Sequence, residues 1–253
     1  MPHSDIRGLG GPRAVISLRG VSKRFEDDAQ PPVVAIDDVT LDIVAGEFVV
    51  VSGRSGSGKT TLLNVMAGLA APTSGGVLLE GRDFSQMPDA GRSRLRNEAI
   101  GFVFQFPSLM PMLTVLENIM MPHAFGTSGR EDDLETRARE LLALVGIAEK
   151  ECAYPRQLSA GQQQRVVLAR ALVNAPRVIL ADEPTSNLDE CTEGEMLELF
   201  QSVHESREVT IVMVTHVAAL MPRGTRTIQM AAGRIIADSA ADHPVALDRA
   251  CLT

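Results

Sequence analysis

Hydrophobic and polar positions along this chain follow two periods, and their succession outlines the elements. Val15 to Val21 alternates apolar with polar residues, as a half-buried strand does. Glu26 to Pro32 reads as a loop, and Val33 to Ile36 and Leu41 to Val44 as two short strands. After the turn Ala45-Gly46-Glu47, the unbroken run Phe48-Val49-Val50-Val51 suits a central strand buried on both faces. From Thr60 to Ala70 the apolar residues Leu62, Leu63, Val65, Met66, Ala67 and Leu69 recur at helical spacing until Pro72 stops them. Val77 to Glu80 and Ile100 to Phe104 predict strands on either side of a polar segment with Arg92, Arg94 and Arg96.

The character then changes. Thr114 to Met121, Asp132 to Val145 and Gly161 to Asn174 predict helices with little strand between them, so residues 107–176 read as a helical insertion. Strand signals return at Val178 to Ala181 and Val209 to Val214, with a helical pattern from Glu190 to Val203 between them. Thr227 to Met230 and Arg234 to Ala237 form a small hairpin around Ala231-Ala232-Gly233. Alternating strands and helices of this length predict an α/β domain with a mostly parallel sheet. The division expected is a lead at 1–13, one domain over 14–237 and an Ala- and Asp-rich tail at 238–253, for which helix and disorder both stay open.

Composition narrows the chemistry. With 253 residues, 45% of them hydrophobic, the chain is long enough to bury a sizeable core. Its net charge of −8, from 24 Lys plus Arg against 32 Asp plus Glu, gives no general basic footprint for nucleic acid. Aromatics at 4%, with no Trp and the single Tyr154, argue equally against base stacking. Cys152, Cys191 and Cys251 lie far apart, suggesting neither a disulfide framework nor a thiolate metal site, and fit a reducing compartment. The longest apolar run, Val209 to Met221, is broken by Thr210, Thr215 and His216, well short of a membrane span. Met1 to Arg13 lacks the pattern of a signal peptide, so a cytosolic location is expected.

Between the run at Phe48 and the helix at Thr60 lies Gly53-Arg54-Ser55-Gly56-Ser57-Gly58-Lys59-Thr60, which fits G-x-x-x-x-G-K-[ST] in its strand-to-helix context. Glycines let backbone N–H groups converge on phosphate oxygens, and the helix start adds a positive end. Lys59 can reach β and γ phosphates, and the Thr60 hydroxyl can ligate Mg²⁺. Val178 to Ala181 runs into Asp182-Glu183 at what would be the same carboxyl edge of the sheet. Because neighbouring strand residues point oppositely, Asp182 is assigned to the metal and Glu183 to the attacking water. His216, beyond the strand at Val209 to Thr215, is either a hydrogen-bond partner for the γ phosphate or water, or a structural residue. Gln105 is likewise a neutral ligand for Mg²⁺ or water, or an ordinary loop residue.

One more segment decides the resemblance. Leu158-Ser159-Ala160-Gly161-Gln162 precedes an apolar helix and offers either a second anion site or a plain helix cap. With it, residues 15–236 resemble the nucleotide-binding subunit of an ABC transporter, Ala160 standing where the family's signature usually has Gly. The resemblance implies a P-loop NTPase core with a mostly parallel sheet, an N-terminal antiparallel β subdomain and an inserted α-helical subdomain. It implies ATP and Mg²⁺ as the bound species. Nucleotide contacts would come from Phe25, stacked on adenine, from Gly53, Arg54, Ser55, Gly56, Ser57, Gly58, Lys59, Thr60 and Thr61, and from Ser159, Gly161, Gln162 and Asp189. Thr60, Gln105 and Asp182 would hold the metal, while Glu183, His216 and Gln105 would serve catalysis.

The family further implies two copies sandwiching two ATP molecules head to tail, each signature facing the other copy's phosphate loop. Gln105 to Pro111, Leu113 to Ile119 and Ala181 to Asp189 look like the lipoprotein-release and macrolide-exporter branch. That branch implies a separate membrane permease, a periplasmic adaptor, a place at the cytoplasmic face of the membrane, and a lipid-like or hydrophobic substrate. The apolar stretch from Phe106 to Met121 would dock the permease, or else pack inside the helical subdomain. A regulatory module of cell-division type, which switches a periplasmic partner without transport, would share every motif. A soluble ATPase of translation or repair would need a second cassette or a coiled-coil insertion, and a GTPase an N-K-x-D motif; neither occurs.

Overall fold

The computed structural model describes residues 14–27, 30–125, 131–215 and 223–240. The lead at 1–13, His216, and the tail from 241 onward lie outside the described residues. In chain order the strands are β1 (Ala14–Asp27), β2 (Gln30–Val44), β3 (Phe48–Gly53), β4 (Ser74–Leu79), β5 (Arg82–Asp83), β6 (Ile100–Val103), β7 (Val178–Asp182), β8 (Thr210–Val214), β9 (Arg226–Ala231) and β10 (Arg234–Asp238). The helices are α1 (Lys59–Met66), α2 (Asp89–Ala99), α3 (Val115–Met120), α4 (Glu131–Leu144), α5 (Ala160–Leu172) and α6 (Glu190–Arg207).

These strands form two sheets. An antiparallel one runs β2-β1-β4-β5, and a six-stranded one runs β10-β9-β3-β8-β7-β6. In the larger sheet β9, β3, β8, β7 and β6 are parallel, and only β10 is antiparallel. The unbroken apolar run of β3 is explained by burial on both faces. Val49 and Val51 join Ile16, Ile36, Leu62 and Met66 in a core between the antiparallel sheet, α1 and the larger sheet. Phe48 and Val50 face the second core, with Ile119, Leu141, Val167 and Phe200 from α3 to α6. Each such side chain contributes about 1.5–3 kcal/mol relative to exposure, so the parallel sheet is held from both sides.

Three sequence expectations change. The loop at Glu26 to Pro32 and the two short strands after it are one hairpin, in which β2 pairs with β1 from Asp27↔Gln30 to Ala14↔Val44. Asp37-Asp38, between the two expected strands, is absorbed by a register shift, with Asp38 in the left-handed region at φ 52° and its N–H donating to Ser22 Oγ. The polar segment with Arg92, Arg94 and Arg96 is α2, whose buried contacts are only Leu95 and Ala99, too few to give a visible period. The apolar stretch Phe106 to Met121 divides: Val115 and Ile119 are core, while Phe106, Met110 and Met112 are exposed.

Candidate functional site

β3 ends at Gly53 and α1 begins at Lys59, so the phosphate-loop sequence is one tight connection between a buried strand and a helix. Gly58 caps α1 at φ 99°, and a Cβ there would overlap the Ala35 carbonyl oxygen of β2; no other residue fits. α1 has no side-chain cap and no acidic residue in its first turn, leaving its N–H groups and positive end for an anion. Lys59 is buried, its ammonium donating to the carbonyls of Gly53 (2.9 Å) and Arg54 (3.1 Å). Ser57 Oγ is buried and has no hydrogen-bond partner among the described residues. A buried hydroxyl with no partner among the described residues, a buried ammonium hydrogen-bonded to two carbonyls and an uncapped helix start fit a phosphate chain. Arg54, Ser55, Gly56 and Thr60 are exposed at the rim, and Thr61 is half-buried.

Parallel pairing of β7 with β8 and of β8 with β3 carries the acidic pair to this edge, in register Asp182↔Val214 and Val51↔Val214. Thr60 donates its hydroxyl to Asp182 Oδ1 at 3.1 Å. Burial pushes the Asp182 carboxyl above its ordinary value, and the neighbouring Glu183 charge adds to this, while the Thr60 hydroxyl and Lys59 pull it back in part. Glu183 lies past the strand end in the left-handed region at φ 43°, its N–H donating to Val214 O at 3.0 Å. Asp182 is thus the last residue of β7, and Glu183 the first beyond it.

Other expected residues are brought near one another by α5 and α6. The Gln105 carbonyl accepts from Asn187 Nδ2 at 3.2 Å, linking the segment after β6 to the one after β7. Ser159 caps α5 in a capping box: Gln162 N donates to Ser159 Oγ, and Ser159 N to Gln162 Oε1. Gly161 is buried, and a Cβ there would overlap the Thr192 methyl of α6. Asp189 caps α6 through Thr192 N (3.0 Å) and Thr192 Oγ1 (2.7 Å), hydrogen bonds that hold its carboxyl below the usual range. Thr192 thus ties the Ser159 turn to Asp189, but among the described residues no hydrogen bond joins Ser159 or Gly161 to the phosphate loop. Phe25 sits half-exposed in β1 opposite Val33, with the Lys23 ammonium 5.1 Å from its ring centre.

Sequence reasoning missed the polar residues that fix the loops. Asn118, fully buried on α3, accepts from Met110 N and donates to the carbonyls of Met110, Leu113 and Thr114. Gln164 and Arg170, both buried on α5, donate to the carbonyls of Phe104 (3.2 Å) and Ser108 (2.6 Å). A polar residue on the apolar face of a helix is the signal that could have marked them. They shape a groove of about 540 Å³ whose walls include Phe102, Phe104, Met110, Met121, Phe125 and Arg170. Met112 is 80% exposed and Phe125 74%, an apolar display at its margin.

Comparison with known proteins places this geometry. The family model described as ABC transporter matches residues 36–186. A lipoprotein-releasing system ATP-binding protein LolD of Geobacter metallireducens is 46% identical over 200 residues, 79% of this chain and 88% of that one. The macrolide export ATP-binding/permease protein MacB of Rhodopirellula baltica is 39% identical over 240 residues, 94% of this chain but 35% of that protein. Among solved structures, the dimeric post-hydrolysis state of the ATP-binding cassette MJ0796 bound to ADP and Pi superposes with a TM-score of 0.81. It shares 37% identity over 88% of this chain and 97% of that one.

Proposed function

The chain belongs to the ABC transporter family as an ATP-binding, ATP-hydrolysing subunit, and from that premise we propose that it powers a separate permease of the lipoprotein-release or macrolide-exporter kind. The reading rests on one observation: Lys59, the orphan Ser57 hydroxyl and the Thr60–Asp182 pair occupy one strand edge, already arranged for a phosphate chain. On arrival of ATP, Lys59 exchanges its two carbonyl contacts for β and γ phosphate oxygens, and Ser57 gains the partner it lacks. Thr60 and Asp182, with Gln105 at the edge, would hold Mg²⁺, which would supply charge neutralisation for those oxygens. Glu183, just past the end of β7, accepts the proton of the attacking water. His216 is assigned to support the water or the γ phosphate.

Ser159, Gly161 and Gln162 serve the phosphates of a second copy, which accounts for their lack of hydrogen bonds to the phosphate loop of their own chain. Two copies therefore close head to tail on two ATP, as the dimeric cassette structure supports by analogy, and binding energy becomes closure energy. Asp189 holds this turn against α6, and Phe25 covers the adenine. The groove beside Met110 and Phe125 receives a segment of the permease at the cytoplasmic face of the membrane. The cargo is lipid-like or hydrophobic, and transport is outward or out of the membrane, in line with the relatives' names.

The experiment is Mg²⁺-dependent ATPase activity of the chain alone and then in membranes with its permease. A low basal rate that rises several-fold with the permease is expected. Equal rates in both would overturn the docking role. Glu183→Gln is expected to bind ATP, dimerise and lose on the order of 10²–10⁴ in rate. Near-wild-type hydrolysis by that variant would remove Glu183 from its role.

A further inference from the structure

At the amino ends of the parallel strands, on the edge opposite the phosphate loop, lies a second pocket of about 280 Å³. Its lining includes Arg137 of α4, Arg177 just before β7, Arg207 at the end of α6, and Thr210 at the start of β8. β7 and β8 each run five residues from here to the nucleotide edge, about 16 Å away at 3.3 Å per residue. The pocket thus stands clear of the site already described.

Three guanidinium groups line this one small space in a chain whose net charge is −8. Arg137 Nε is fully buried and has no hydrogen-bond partner among the described residues. Arg207 makes no ion pair among the described residues. Arg177 meets Glu80 at 3.5 Å, a long and largely exposed contact. The negative charges facing the group are Glu208, which lines the pocket, Glu80 beside Arg177, and Glu140 beside Arg137. Burial first and the Arg207 charge second pull the Arg137 guanidinium below its ordinary value, against Glu140, so the two arginines are close enough to repel. Folding that crowds like charges and leaves a buried donor unmatched loses stability unless an anion completes the arrangement.

We propose that this pocket binds a phosphate group, held by the forks of Arg137, Arg177 and Arg207. Planar guanidinium donors match phosphate oxygens two at a time, and the volume suits a diphosphate-sized or small phosphorylated ligand. Thr210 Oγ1 accepts from Gly46 N at 3.1 Å, which fixes the start of β8 beside the three arginines. Such a ligand would bridge α4 of the helical layer to the starts of β7 and β8 and the end of α6, tying the helical layer to the sheet.

The test uses the full chain with its nucleotide site saturated by ADP-Mg. Calorimetric titration with inorganic pyrophosphate is expected to show one further event per chain. The event should weaken at least tenfold in Arg137→Gln/Arg207→Gln and survive in Lys59→Ala, while ADP affinity of the double variant stays unchanged. Should the double variant lose ADP binding through misfolding, Arg207→Gln alone, at an exposed helix end, is expected to weaken the event several-fold. Flotation with vesicles of phosphatidylcholine, with or without phosphatidic acid, separates the sources. Capture that requires phosphatidic acid and both arginines assigns a lipid headgroup, and pyrophosphate binding without capture assigns a soluble phosphate. No event with either probe, an event indifferent to the arginine changes, or one lost in Lys59→Ala would overturn the proposal.

Discussion

Asn118→Ala removes the group that shapes the apolar display beside the groove. The wild-type side chain makes four hydrogen bonds, but Thr114 O also accepts from Asn118 N at 2.9 Å and Met110 O from Leu113 N at 3.1 Å, so both keep a partner. Two groups lose theirs: Met110 N–H and the carbonyl of Leu113. At about 1 kcal/mol net for each, the change should cost about 2 kcal/mol. For a chain of this size that is about 4–8 °C of melting temperature. The assay is thermal unfolding of the ADP-bound chain, with hydrogen exchange at the Met110 amide as the local readout. Well below the melting temperature, hydrolysis by the chain alone should persist while stimulation by a permease falls, because Met110 and Met112 no longer hold one geometry. A variant melting within about 1 °C of wild type, or one whose Met110 amide stays protected, would refute the account of Asn118 as the loop's anchor.

Three further outcomes are expected. Ser57→Ala removes an unmatched buried hydroxyl, so the nucleotide-free chain should melt no lower, or up to a few degrees higher, while the stabilisation given by ADP shrinks; paired melts measure both. Gly161→Ala drives a methyl into Thr192, so it should destabilise by about 1–3 kcal/mol, and adding Thr192→Ser should recover much of that in a double-mutant cycle. For Asp238, burial raises the carboxyl, but the hydrogen bond from Arg226, the Ala240 N–H and the Arg226 charge outweigh it, leaving a net lowered value. Its stabilisation is therefore full above the ordinary carboxylate value near 4 and disappears as pH falls through the lowered folded value. Asp238→Asn should cost about 1–3 kcal/mol at pH 7 and flatten the acid limb of a stability-against-pH curve.

Some of this protein is written in contiguous sequence. The strand Phe48 to Gly53, the loop and the start of α1 form an unbroken run, so their glycines, lysine and threonine meet whatever the rest of the chain does. The capping boxes at Ser159 and Thr114 are local for the same reason. Periodicity likewise exposed the helices whose buried faces are apolar, and it failed for α2, whose few buried positions carry too little signal. It also broke β2 at Asp37-Asp38, because a bulge satisfied by a partner strand leaves no local mark. What tertiary structure alone decided is convergence: Thr60 meets Asp182 across 122 positions because β3, β8 and β7 run parallel and in register. Gln164, Arg170 and Asn118 became clamps because their helices turn them onto loop carbonyls, and Arg137, Arg177 and Arg207 share a pocket only through the packing of α4 and α6 at the sheet edge. Propensity and pattern act over a few turns of chain, whereas these encounters depend on sheet order and helix packing that no short window contains.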